Sequence, residues 1–162
     1  MVFSAEPIQT VLVSCRGSAE LMGRRVTKDN LIAVDWHMPI SIDQRLFSIA
    51  VAKTRFSFEL ITSSGCFVVN FMPFSFQKEV LFCGTHSGRS VDKFRETGLA
   101  KEEAESVDCP KVKEACAQLE CELVHSFDAG DHTIFVGKIL KEVHKEDSQR
   151  LFHTEDEQFI GV

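Results

Sequence analysis

Residues 50–70 read AVAKTRFSFELITSSGCFVVN. A strand-like run gives way to a short helical pattern, and a second strand-like run follows. Lys53, Arg55 and Ser57 alternate, so an extended backbone places them on one side of the chain. Ser57 has the chemistry of a helix N-cap, Phe56 and Ile61 occupy the two hydrophobic-staple positions, and Gly65 can close the helix. A helix start carries free N–H groups and a partial positive charge, which suits an anion. Beside it, the Ser57 hydroxyl can donate, Arg55 offers a two-pronged guanidinium and Lys53 a point charge. The spacing alone leaves two readings open: an ordinary strand–turn–helix joint, or a seat for an anionic ligand.

Working outward, short β-branched or aromatic runs predict strands over 10–17, 31–38, 46–53 and 66–72. Helices are predicted over 57–65, 75–82 and 90–98. Residues 99–112 are charged and irregular, with Pro110. Two longer strands, 118–127 and 132–143, flank the turn "DAGD" (128–131) as a hairpin. Such a hairpin argues against a purely parallel sheet. The tail from Lys145 onward is polar and is expected on the surface. The pattern predicts a mainly β fold with short helices, a small barrel with helical insertions.

At 162 residues and 44% apolar composition, the chain is expected to form one domain, residues 1–162. The net charge of −6 argues against a nucleic-acid partner, because such binding rests on neutralising phosphates. Six cysteines are scattered without a C-x-x-C pair, so zinc-site spacing is absent. The histidines show no H-E-x-x-H or H-x-H spacing, and no metal is expected. No apolar run is long enough for a membrane span, and the N-terminal residues lack the basic region of a signal peptide. These features predict a cytoplasmic protein with free thiols.

Three further segments carry candidate chemistry. In "CGTHSGRSVDKF" (83–94), Gly84 and Gly88 let backbone approach a ligand, and Ser87, Arg89, Ser90 and Lys93 add donors. The segment is neither a nucleophile elbow nor a phosphate loop of Walker type. In "GDHTIFVG" (130–137), His132 opens a strand directly after the turn. In "NLIAVDWHMPIS" (30–41), Asp35, Trp36 and His37 interrupt an apolar strand, and Trp36 offers a flat face to a ring. Each segment also reads as ordinary structure: a glycine loop, a turn histidine, a core tryptophan. Cys83 beside the glycine loop reads as a buried thiol.

Taken in order, "NLIAVDW", "SIAVAKTRFSFELITSSGCFVVN", "SGRSVDKFRETGL", "LEC" and "GDHTIFVGKI" resemble the flavin reductase-like FMN-binding split-barrel family, which includes flavoredoxins and archaeal ferric reductases. The pieces span roughly residues 8–143. The resemblance implies a six-stranded Greek-key split β-barrel, a homodimer, and FMN near the subunit interface. It places the FMN phosphate at Lys53, Arg55, Phe56 and Ser57. The flavin and ribityl chain fall along Val34, Asp35, Trp36 and His37, with further contacts from Ser87, Gly88, Arg89, Lys93 and Asn70. His132 would lie near the flavin ring as the residue closest to catalysis.

Family members commonly carry S-x-x-P after the tryptophan strand. Here "SIDQR" stands instead, with Asp43 and Gln44, which leaves the loop's shape and any contact by Ser41 open. Contacts from a longer C-terminal segment are expected to be missing. The implied activity is an FMN-dependent oxidoreductase taking electrons from NADH or NADPH to a flavin, ferric or other acceptor. The alternative is an FMN-binding electron carrier reduced by a partner protein. Either way the cofactor carries the chemistry and no side-chain nucleophile is needed. A third reading is a flavin-free structural or anion-binding domain.

Overall fold

The computed structural model describes residues 6–154 and 158–162. In chain order, its elements begin with β1 (Ile8–Gln9), β2 (Val11–Leu21), β3 (Arg24–Val34), β4 (His37–Ser41) and β5 (Leu46–Ala52). Helix α1 (Phe56–Ser64) and β6 (Cys66–Phe71) follow. A 3-10 turn at Phe74–Phe76 leads into α2 (Gln77–Thr85), then α3 (Lys93–Thr97), β7 (Lys101–Glu103) and β8 (Pro110–Val112). The long pair β9 (Ala117–Ala129) and β10 (His132–His144) precedes β11 (Leu151–His153) and β12 (Phe159–Gly161).

The main sheet has seven strands in the order β3-β2-β6-β9-β10-β5-β4, every neighbour antiparallel. Its two edge strands, β3 and β4, are joined by only Asp35 and Trp36. Two residues cannot span an open sheet, so the sheet must curl until its edges meet. Ala50 N–H donates to the Trp36 carbonyl at 2.9 Å across that seam. This is a split barrel of the mainly β class expected, with one strand more than the six anticipated.

β2 is buried on both faces. Val11, Val13 and Cys15 face the barrel interior with Phe67, Val69, Leu119, Cys121 and Phe135. Leu12 faces a second core with Leu31, Met72, Val80, Phe94 and Leu151. That explains the unbroken apolar run at its start, where a half-exposed strand would alternate. α1 crosses β2 at Gly17, where an added Cβ would stand 2.1 Å from the Leu60 carbonyl oxygen. The β9–β10 hairpin turns at Gly130 and Asp131, with Gly130 at φ 66.

Two expectations need correction. Residues 99–112 are not wholly irregular: β7 and β8 form their own two-stranded sheet. The loop that follows β7 is held by the buried Glu120 carboxylate, which accepts from the Glu105 and Ser106 N–H groups and pairs with Lys111. Nor does the polar tail lie wholly on the surface. β11 pairs with β1 and β12, and Leu151 is fully buried. Residues 155–157 of that tail lie outside the described residues. Among the described residues, no helix is long and apolar enough to cross a membrane.

Candidate functional site

The joint between β5 and α1 holds the first half of the site. Arg55 occupies the N-cap position in extended backbone (φ −78, ψ 141), and no side chain caps the helix start. The Arg55 side chain is exposed and makes no hydrogen bond or ion pair among the described residues. Ser57, read from the sequence as the cap, is the second helical residue and is 1% exposed. Its hydroxyl accepts from the Asn30 amide at 2.9 Å. The helix thus begins earlier than its residue types suggest, and its first N–H groups stay free for another acceptor.

A cleft of about 360 Å³ opens beside this joint. Ala33, Ala50 and Val51 are among the small apolar side chains that line it. Trp36 and His132 line it too, with ring centroids 4.7 Å apart and planes tilted by 41°. Thr54, Arg55 and Asp131 complete its polar side. His132 Nδ1 lies 2.8 Å from the Asp131 carboxylate. That hydrogen bond, reinforced by charge, holds the Asp131 carboxyl below its ordinary value. A carboxylate only accepts, so Nδ1 carries the proton and Nε2 is the ring atom left for other partners.

The expected site residues divide into two groups. Val34, Asp35, Trp36, Arg55 and His132 come together around the cleft. Asp35 is fully engaged: one oxygen accepts from the Thr10 hydroxyl at 2.5 Å, the other from His153 Nδ1 at 2.7 Å. Phe56 is buried below, with the Arg89 guanidinium 5.0 Å from its ring centroid. Arg89 also pairs with Glu59. Ser87 is exposed, whereas Gly88 packs so tightly on Asn30 that a Cβ would clash at 2.1 Å.

Like Phe56, Ser87, Gly88 and Arg89, the others do not line the cleft. Lys53 pairs with Asp128 at 3.1 Å. His37 points its Nε2–H at the Gln9 carbonyl, 2.8 Å away, and burial pushes its imidazole below the ordinary value. Asn70 is completely buried, donating to Leu12 O and Ser14 Oγ and accepting from Val112 N and Gln118 Nε2. Lys93 is 4% exposed and donates to the Leu31 and Cys83 carbonyls at 2.7 and 2.6 Å. Burial moves its pKa down to about 8. Among the described residues, no group of three His, Cys, Asp or Glu side chains is arranged to hold a metal ion.

Sequence reasoning passed over Thr54, Asp131, Thr10 and His153. Thr54 sat between Lys53 and Arg55, where strict alternation turned it away. His153 gave no local signal, because only the pairing of β11 with β1 brings it to Asp35.

The family described as flavin reductase like domain matches residues 3–159. The chain belongs to this family. An uncharacterized protein of Archaeoglobus fulgidus is 37% identical over 119 residues, covering 74% of this chain and 67% of that protein. The flavoredoxin of Desulfovibrio vulgaris (Miyazaki F) superposes with a TM-score of 0.85 at 21% identity, over 100% of this chain and 90% of its own. An FMN-binding protein from Thermus thermophilus, with 1-cyclohex-2-enone bound, gives 0.84 at 22% identity, over 99% and 89%. These two likenesses are of fold. Membership in the family makes the chain a flavin-related oxidoreductase or electron-transfer protein.

The residues fit a flavin on their own chemistry. Small apolar side chains beside the Trp36 ring suit one face of a flat heterocycle. A free guanidinium beside an uncapped helix start suits a phosphate.

Proposed function

We propose that this chain binds FMN in the cleft and uses NADH or NADPH to reduce it, as a flavin or ferric reductase-type oxidoreductase. The observation that carries this reading is the pairing of Arg55 with the uncapped start of α1 at the edge of a cleft walled by Trp36 and His132. Arg55 would grip the phosphate through two parallel N–H bonds, joined by the Phe56 and Ser57 backbone N–H groups. Lys53 would exchange Asp128 for the phosphate, and Thr54 would donate its hydroxyl. Val34 and Trp36 would cover the ring and exclude water. Asp35, His37, Ser57, Asn70 and Lys93 would support this wall from behind, while Ser87, Gly88 and Arg89 flank the helix start. His132 Nε2 would face the flavin or nicotinamide edge, its orientation fixed by Asp131.

FMN, when bound, supplies a hydride acceptor and an electron donor. The protein's own share is binding, orientation and exclusion of water. A homodimer, which the family resemblance implies, would gain apolar burial if it covered Met38, Ile42 or Phe127, which are 59%, 93% and 55% exposed. Light scattering tests that.

The deciding experiment is a visible spectrum of the purified protein with FMN, before and after adding NADH or NADPH. Flavin bands that bleach support the reductase. Bleaching with dithionite alone leaves the electron carrier. Colourless protein without an FMN-induced rise in melting temperature overturns flavin binding.

A further inference from the structure

The terminal segment reaches the site through one side chain. β11 pairs with β1, with His153 opposite Ile8, and this brings His153 Nδ1 to 2.7 Å from Asp35 Oδ2. Thr10, directly after β1, donates to the other oxygen of the same carboxylate at 2.5 Å. Asp35 is therefore held between the two ends of the chain. It is also half of the two-residue connection that closes the barrel, and its neighbour in that connection is Trp36. The His153 ring is itself seated against Phe159 of β12, with centroids 5.3 Å apart.

We propose that His153 is a positioning residue for the cleft: through Asp35 it fixes the Asp35–Trp36 connection and so sets the Trp36 ring against His132. The physical case rests on where the clamp acts. The Asp35 and His153 side chains keep 24% and 26% of their surface, so solvent still screens their pairing in part and limits what it adds to global stability. The Ala50 hydrogen bond holds the Trp36 backbone, and the Asp35 clamp fixes the connection from its other side. Removing His153 thus frees one side of the clamp and leaves the barrel intact. Its consequence for ligand affinity rests on the flavin reading above, whereas the positioning itself is legible without a ligand.

Trp36 is the single tryptophan, so its emission and near-ultraviolet dichroism report this wall directly. The experiment compares wild type, His153→Ala, His153→Asn and His153→Gln, first without ligand and then titrated with FMN. Asn places an amide N–H close to the position of Nδ1, and Gln closer to that of Nε2. Expected are altered Trp36 emission and dichroism in His153→Ala with an FMN Kd raised about tenfold, the worth of one good hydrogen bond. His153→Asn should restore both, and His153→Gln should behave like alanine. Unchanged Trp36 signals in a folded His153→Ala overturn the proposal. So does an Asn variant that melts like wild type yet fails to restore them. Should the alanine variant not fold, the contrast between Asn and Gln decides in the same way. If wild type binds no FMN, the flavin reading falls, and the Trp36 signals still decide the role of His153.

Discussion

The Trp36 and His132 rings meet at 4.7 Å, one on the seam between the two edge strands and the other at the head of β10. Both line the cleft beside Arg55. A flavin bound there as proposed would contact the lone tryptophan. FMN is therefore expected to quench Trp36 emission in a saturable titration. Replacing the ring by Trp36→Leu should raise the FMN Kd about tenfold, since stacking of a heterocycle on an aromatic ring is worth roughly 1–3 kcal/mol. A Kd unchanged in Trp36→Leu would place the flavin elsewhere.

Arg55 separates phosphate recognition from folding. Its guanidinium has no intramolecular hydrogen bond to lose among the described residues, so charge reversal should leave the apo melting temperature within about 2 °C, as for other exposed substitutions. FMN affinity should fall at least about a hundredfold in Arg55→Glu, because a charge-assisted pair is replaced by repulsion. Riboflavin, which lacks the phosphate, should bind both proteins alike. Calorimetric titration with the two ligands measures the difference.

How much of this was written in the sequence depends on the range of the contacts. The strand–helix–strand run of 50–70 showed its elements because β-branched periodicity and Gly65 are local signals. Its cap did not show, because Ser57 has the chemistry of a cap and is drawn instead into a buried hydrogen bond with Asn30, 27 positions away. Of the cleft, Trp36, Arg55 and His132 could be found, since each is an unusual residue type for its local pattern. Lys93 looked like a ligand donor by type, and Asn70 entered only through the family resemblance. The structure spends their hydrogen bonds on carbonyls and amides inside the fold. The role of the tail needed β1–β11 pairing across almost the entire chain, for which a single sequence holds no periodic signal.

Gly17 should tolerate no side chain. A Cβ there meets Leu60 O at 2.1 Å and Ser63 Oγ at 2.6 Å, and the first of these is helix backbone that cannot step aside. Gly17→Ala should force α1 away from β2 and cost about 1–3 kcal/mol, the usual range for overpacking. Urea denaturation measures this loss, and a change below about 0.5 kcal/mol, the scatter of ordinary surface changes, would contradict the packing. Because α1 also supplies the helix start at Arg55, FMN affinity should drop with it.

The six cysteines should differ sharply in reactivity. Burial drives the Cys15 and Cys121 thiols up to about 12 and Cys83 up to about 11. Cys66 moves the other way, because its interaction with the neighbouring Cys109 thiol outweighs the opposing cost of burial. Cys109 is raised by burial. Since the thiolate is the nucleophile, limiting iodoacetamide near neutral pH should label Cys66 ahead of these four. Cys109→Ala should slow that labelling by removing the neighbour that lowers the Cys66 thiol. Peptide mass spectrometry reads the order, and prior modification of Cys15, Cys83 or Cys121 would refute it.

Lys93 gives the fold a pH dependence of defined sign. Its folded pKa is about 8, against 10.5 in the unfolded chain, chiefly because burial penalises the charged ammonium. Below pH 8 both states hold the proton and the penalty is constant. Between about pH 8 and 10.5 the unfolded chain holds a proton that the folded one has released, so stability from this group rises with pH. The buried thiols act in the opposite sense at the upper end of that window, because they stay protonated in the fold while the unfolded thiols ionise. The Lys93 contribution therefore has to be read as the difference between wild type and Lys93→Met. That difference should shift in favour of wild type by on the order of 2 kcal/mol across the window, measured by urea denaturation at stepped pH. Arg55 contributes to depressing Lys93, so a bound phosphate that neutralises Arg55 should flatten the same slope. A slope identical with and without saturating FMN would dissociate Lys93 from the anion seat.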